Sequence, residues 1–228
     1  MNAEPQPSGT PKLFGYWRST AAYRVRIALN LKAIAWESAG VHLVHGGGEQ
    51  HQDSFRSINP AGLVPTLVWG DVVLSQSLAI CEYLEEIRPQ PALLPGDPAD
   101  RAWVRALAMD IACDVHPLCN LRVMQYLGDT LHQDDSARTA WMFEWMGRGF
   151  ATVERRLERR SEQTGERTEF CLGDQPGLAD LVIVAQAYNA DRFGFALDNF
   201  PLTRRTVEAC RALKPFRQAL PENQPDAP

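Results

Sequence analysis

The sequence predicts a small α/β domain joined to an all-helical one. Three observations lead there. Up to about residue 90, short apolar stretches alternate with amphipathic ones. A proline-rich segment follows, and beyond it the apolar residues recur with a helical period. Residues 12–17 read as a strand. Residues 22–32 read as a helix, with Val25, Ala28, Leu29 and Leu31 clustered toward one side. Residues 35–43 give a second strand, His45-Gly46-Gly47-Gly48-Glu49 a flexible turn, and 50–57 a short helix. Residues 64–69, Gly70-Asp71 and 72–74 then read as strand, turn and strand. A helix over 78–87 follows, with Ser77 and its polar neighbours offering the N-cap.

Residues 88–98 hold four prolines in eleven positions, which blocks helix continuation and stiffens the chain. Helices are predicted over 99–127 (interrupted near Pro117), 134–160, 178–190 and 202–213, with a polar loop at 161–169. The expected organisation is therefore a first domain at 11–88, a linker at 89–98 and a helical domain at 99–220. Residues 1–10 and 221–228 are expected to be disordered tails, because they are polar and proline-rich.

Composition narrows the function classes. The chain has 228 residues, with 23 Lys and Arg against 28 Asp and Glu, for a net charge of −5. A mildly acidic chain lacks the basic footprint of a general nucleic-acid binder. No apolar run approaches the roughly 18 residues that span a bilayer, and the first ten residues lack the basic start and apolar stretch of a secretory signal. Five cysteines, odd in number and without a CxxC pair, argue against a disulfide framework or zinc site and for reduced thiols in the cytoplasm. Clustered His, Cys and Asp ligands for another metal are absent as well, and no Gly-Lys-Ser/Thr follows the glycine turn to make a phosphate loop.

Three short segments carry potential chemistry. In Arg18-Ser19-Thr20, two hydroxyls stand where a strand gives way to a helix. Free N–H groups and the positive helix end favour an anion there, and a hydroxyl can donate to a thiolate; equally, Ser19 or Thr20 can simply cap the helix. In Val64-Pro65, a cis bond would turn backbone groups toward a ligand, whereas a trans proline would merely open a strand. Gln76-Ser77 repeats the helix-terminus logic, with a carboxylate as its candidate anion and a plain cap as the other reading.

Taken together, these segments resemble the cytosolic glutathione transferases. Residues 18–30 are similar to the zeta-class pattern Ser-Ser-Cys-x-Trp-Arg-Val-Arg-Ile-Ala-Leu. Further likeness lies in Asn59-Pro60, Val64-Pro65-Thr66-Leu67, Gln76-Ser77-Leu78-Ala79-Ile80, Pro117-Leu118, Asn120-Leu121, Ala179-Asp180-Leu181 and Asn189-Ala190-Asp191-Arg192-Phe193. The resemblance runs from about residue 12 to 225. It implies a thioredoxin-like domain with a mixed four-stranded sheet, a helical-bundle domain and a cytoplasmic homodimer.

The same resemblance assigns residues. Ser19 matches the serine that hydrogen-bonds the sulfur of glutathione, and Thr20 keeps a hydroxyl beside it. Ala21 and Tyr23 depart from the family's cysteine and tryptophan, so a protein thiol at position 21 is absent. Gln50, Val64 with Pro65, and Gln76 with Ser77 match glutathione contacts, the last two at its γ-glutamyl end. His116, Asn120 and Arg122 align with positions lining the site. Arg18 and Arg192 align with its mouth, where a guanidinium grips a carboxylate with two hydrogen bonds; an arginine is otherwise a solvated or ion-paired surface group. Gly177 stands where a Thr or Ser cap is usual, leaving Asp180 to compensate.

The implied activity is glutathione-dependent cis–trans isomerisation of a small dicarboxylate, maleylacetoacetate or maleylpyruvate. Two other readings stay open at this level. One is a transferase or dehalogenase acting on small α-halo acids. The other is a non-catalytic binding module of the same fold.

Overall fold

The computed structural model describes residues 7–228. The described residues up to Leu93 form one compact unit together with Ala212–Pro228, and Leu94–Arg211 form a second.

In the first unit the chain runs β1 (Lys12–Gly15), α1 (Thr20–Leu31), β2 (Glu37–Gly40), α2 (Asp53–Arg56), β3 (Thr66–Trp69), β4 (Val72–Ser75) and α3 (Ser77–Ile87). The sheet order is β2-β1-β3-β4; β1 pairs in parallel with β2 and antiparallel with β3, which pairs antiparallel with β4. Strand β2 is shorter than the residue 35–43 stretch expected, because the chain leaves the sheet at Val41 and enters two short 3-10 turns ahead of α2.

Helix α1 is not amphipathic. Every residue from Thr20 to Leu29 is buried, including Arg24 and Arg26. Both arginines find acceptors: Arg24 Nη1 donates to Ser77 Oγ at 3.2 Å, and Arg26 donates to the carbonyls of Ala219 and Trp17, each at 3.0 Å. Buried charge is tolerated only with such partners. The one-sided reading of this helix therefore missed its second covered face, which packs on α9 (Lys214–Gln218).

That contact also corrects the expected boundaries. Residues 212–220 belong to the first unit, not the helical one. Nor is 221–228 a loose tail. Residues Pro221–Asn223 form a 3-10 turn, Pro221 and Gln224 are buried, and the Asp226 carboxylate accepts the Trp17 N–H at 2.8 Å. Proline here stiffens an ordered strap. At the other end, residues 1–6 of the expected leader lie outside the described residues, while Gly9 O accepts the Trp69 indole N–H at 2.9 Å.

Lys32, only 1% exposed, holds the start of the linker down: its ammonium pairs with Glu85 and donates to the carbonyls of Arg88 (2.6 Å) and Pro91 (2.7 Å). Burial lowers its pKa, and the hydrogen bond and charge of Glu85 oppose that shift.

The second unit contains α4 (Pro98–Ala112), α5 (Leu121–Gln125), α6 (Asp135–Thr164), α7 (Leu178–Arg192) and most of α8 (Pro201–Ala212). Asp97 caps α4 by accepting from Ala99 and Asp100, with Pro98 at the first helical position. Helix α6 has 30 residues and runs past the loop expected at 161, ending at Gly165 in the left-handed region. A Cβ at Gly149 would collide with Val115, so glycine lets the segment after α4 approach α6 closely. Glu154 on α6 accepts from Leu202 N, Thr203 N and Thr203 Oγ1 at 2.7–2.8 Å, closing the N-terminus of α8.

Helix α7 is buried on nearly all sides. Gly177 has no side chain with which to cap it, so Asp180 reaches back and accepts from Gly177 N (2.8 Å) and Cys171 N (2.9 Å). No helix among the described residues is long and apolar enough to cross a membrane.

Candidate functional site

Strand register gathers the sequence-predicted residues of the first unit. Phe14 of β1 pairs with Thr66 of β3, and Thr66 with Ser75 of β4. The segments 16–19, 64–65 and 76–77 therefore all leave the sheet at the same end. Gly15 pairs with Gly40, which sends the chain leading to Gln50 out at that end too. His116, Asn120, Arg122 and Arg192 belong to the second unit.

At the β1–α1 junction Ser19 is the N-cap of α1, and its Oγ accepts from Ala22 N at 3.2 Å. The capping reading is thus realised. It does not exclude the chemical one, because a hydroxyl has one donor hydrogen as well as two lone pairs, and capping uses only a lone pair. Thr20 is buried at the first turn. Trp17, two residues before the cap, is held at both its backbone groups, by Asp226 and by Arg26. Arg18 is half-buried, with its guanidinium stacked 4.2 Å over the Trp17 ring. Stacking occupies the face of that group and leaves its N–H edge for a carboxylate.

Gln50 is buried and donates from Nε2 to Leu43 O at 3.2 Å, while its Oε1 has no hydrogen-bond partner among the described residues. A buried orphan acceptor is costly, and an incoming N–H donor would relieve it. Gly48, at φ +98°, lies against this amide so closely that any Cβ would strike it.

The Val64–Pro65 peptide is cis. Asn59 shapes the approach to it, donating to Leu63 O (2.8 Å) and to Thr66 Oγ1 (3.0 Å). Helix α3 begins at Ser77, and among the polar residues expected to cap it Gln76 is the N-cap residue, at φ 70° and ψ 114°, and makes no side-chain capping bond. A non-glycine residue in this region costs on the order of 1–3 kcal/mol and is held by its surroundings. The first N–H groups of α3 thus precede the intrahelical ladder with no side-chain cap, an arrangement that favours an anion.

Asn120 caps α5 by accepting from Arg122 N at 3.2 Å, so its side chain has a structural duty. Arg122 is exposed, and His116 is half-buried in the turn before α5. Arg192 is exposed at the end of α7, its guanidinium 4.7 Å over the Phe193 ring. Two contributors were missed by sequence reasoning. Arg24 stood in a helix read as one-sided, and Asp226 stood in a segment read as disordered.

A buried thiol, Cys81, lies one turn along α3 from Ser77. Burial pushes Cys81 up to about 12, and the nearby Arg24 charge only partly opposes it.

A sheet of order β2-β1-β3-β4, a serine-capped β1–α1 junction, a cis proline before β3 and an uncapped α3 terminus define a glutathione-transferase thiol domain. Comparison with known proteins agrees. The family model for the glutathione S-transferase N-terminal domain matches residues 13–92. Maleylacetoacetate isomerase of Pseudomonas aeruginosa is 46% identical over 218 residues, covering 95% of this chain and 99% of that protein. The holo structure of a maleylpyruvate isomerase, a bacterial zeta-class glutathione S-transferase, aligns with a TM-score of 0.90 at 43% identity, covering 95% of this chain and all of that one. A maleylacetoacetate isomerase from Methylobacterium extorquens AM1, with malonate and glutathione bound, aligns with a TM-score of 0.88 at 41% identity, covering 95% and 99%. The chain belongs to the zeta class of the glutathione transferases.

Proposed function

We propose that this protein is a glutathione-dependent cis–trans isomerase that converts maleylacetoacetate or maleylpyruvate to the fumaryl isomer. The observation that carries the reading is the convergence, at one end of the sheet, of a serine-capped helix start with an uncapped one. The first suits a thiolate and the second a carboxylate. The residues fit glutathione on independent grounds as well, since the orphan Oε1 of Gln50 asks for an N–H donor such as a peptide supplies.

When bound, glutathione supplies the sulfur nucleophile whose reversible addition to the cis double bond lets that bond rotate. The chain's own residues do the rest. Ser19 donates its free hydroxyl hydrogen to the sulfur, and the N-terminus of α1 favours its ionised form near neutral pH. Thr20 adds a second hydroxyl at the same turn. Val64, beside Pro65, offers backbone groups to the cysteinyl unit, Gln50 its side-chain amide, and Gln76 and Ser77 hold the γ-glutamyl end. Arg18 receives a substrate carboxylate, and family likeness assigns the other to Arg192. His116, Asn120 and Arg122 are assigned to the lining of the site by family likeness.

Family membership also supports a homodimer. Five free cysteines are compatible with a cytoplasmic location. The deciding experiment is an ultraviolet assay of both diacids with and without glutathione. Turnover of at least one, abolished when glutathione is omitted, is expected. Undiminished conversion without added thiol would overturn the reading.

A further inference from the structure

We propose that Arg24, a residue with no assigned role, positions the glutathione site by fixing the polarity of the Ser77 hydroxyl. The inference rests on the assignment of Ser77 to the γ-glutamyl end of glutathione. Arg24 lies on α1 and is 2% exposed. Its Nη1 donates to Ser77 Oγ at 3.2 Å, across 53 residues of sequence. A guanidinium carries donors only and does not lose its charge, so this hydrogen bond has one possible direction. Ser77 Oγ must accept, and its single hydrogen must point away from Arg24.

A lone serine hydroxyl rotates and serves donors and acceptors alike. At the first residue of α3 that freedom would be a defect, because a ligand carboxylate accepts and never donates. With one lone pair held by Arg24, the hydroxyl presents a donor, in company with the uncapped N–H groups of the same helix turn. The ligand class this polarity selects is a carboxylate, and an uncharged amide in its place gains less. Arg24 touches Ser77 and is a positioning residue, acting through that hydroxyl.

The test is a double-mutant cycle on glutathione affinity, read by isothermal titration calorimetry on the full chain, with no turnover required. Glutathione and an analogue amidated at the γ-glutamyl carboxylate are the probes. Arg24→Met should weaken glutathione binding roughly tenfold, the scale of a hydrogen bond to a charged group. In a Ser77→Ala background the same change should weaken it less than about twofold. Arg24→Lys, another donor-only cation, should recover most of the loss. For the amidated analogue, Arg24→Met should make little difference.

Additive losses around the cycle, or an equal loss with the amidated analogue, would overturn the proposal and leave the glutathione assignment standing. Failure of the unaltered protein to bind glutathione would instead sink that assignment, and this inference with it. If Arg24→Met does not fold, the Lys variant and Ser77→Ala still decide. An affinity for glutathione that is unchanged in Ser77→Ala, or a roughly tenfold loss in Arg24→Lys that is equal in the Ser77→Ala background, refutes the mechanism.

Discussion

Asp226 and Trp17 are joined by a hydrogen bond of 2.8 Å from the Trp17 N–H to the carboxylate, across 209 residues of chain. The Trp17 carbonyl is taken by Arg26 at 3.0 Å, so side chains fix both backbone polar groups of one loop residue. That loop aims Arg18 and sets Ser19 as the cap. Asp226→Ala should destabilise the protein by about 1.5–3 kcal/mol, the range for a lost hydrogen bond to a charged group, and should weaken glutathione binding in step. Urea unfolding and titration calorimetry on the same variant check both. Unchanged stability and affinity would mean the strap is incidental.

Capping and chemistry at residue 19 are separable. Glycine is nearly as good an N-cap as serine, whereas alanine costs about 1 kcal/mol. Ser19→Gly should therefore unfold within a few tenths of a kcal/mol of the parent yet lose kcat by roughly 10²-fold, the scale of removing one donor to a reacting centre. Ser19→Ala should lose both stability and rate. Equal kcat in the glycine variant would reduce Ser19 to a cap.

How much of this was legible in the sequence depends on distance along the chain. The β-strands, the linker and the three site segments were readable because each is a local pattern: alternation, proline density, a hydroxyl before a helix. Arg24, Arg26 and Asp226 were not. Each draws its meaning from a partner 9 to 209 residues away, and a buried arginine looks, in sequence, like a solvent-facing one. Which of Gln76 and Ser77 caps α3 was undecided in the sequence for a related reason. Gln76 sits at φ 70°, a conformation that its side chain does not favour and that the neighbouring structure imposes.

Thiol chemistry offers an independent check on the inert cysteines. Cys81 and Cys119 are pushed up to about 12 by burial, and Cys171 and Cys210 upward as well, so little thiolate exists at neutral pH. Cys113 is the exposed one. Native protein treated with iodoacetamide at pH 7.5 should gain one label by mass spectrometry, and all five after denaturation. Rapid labelling of Cys81 in the native state would show that the helix turn after Ser77 opens.

Asp180 is the carboxylate that stands in for the missing cap at Gly177. Burial raises its pKa from 3.8, and the N–H groups of Gly177 and Cys171 pull it back without cancelling the shift. In the window between 3.8 and the raised folded value, the folded chain binds more protons than the unfolded one. The stability this contributes is fully present below 3.8 and is lost as pH rises through the folded value. Asp180→Asn keeps one acceptor oxygen and removes the titration. The difference in unfolding free energy, parent minus variant, should therefore grow as pH is lowered from 7 toward 4 in a series of urea titrations. A difference that shrinks on acidification would show that the two amide donors outweigh burial, with the carboxylate held below its ordinary value by the turn it closes.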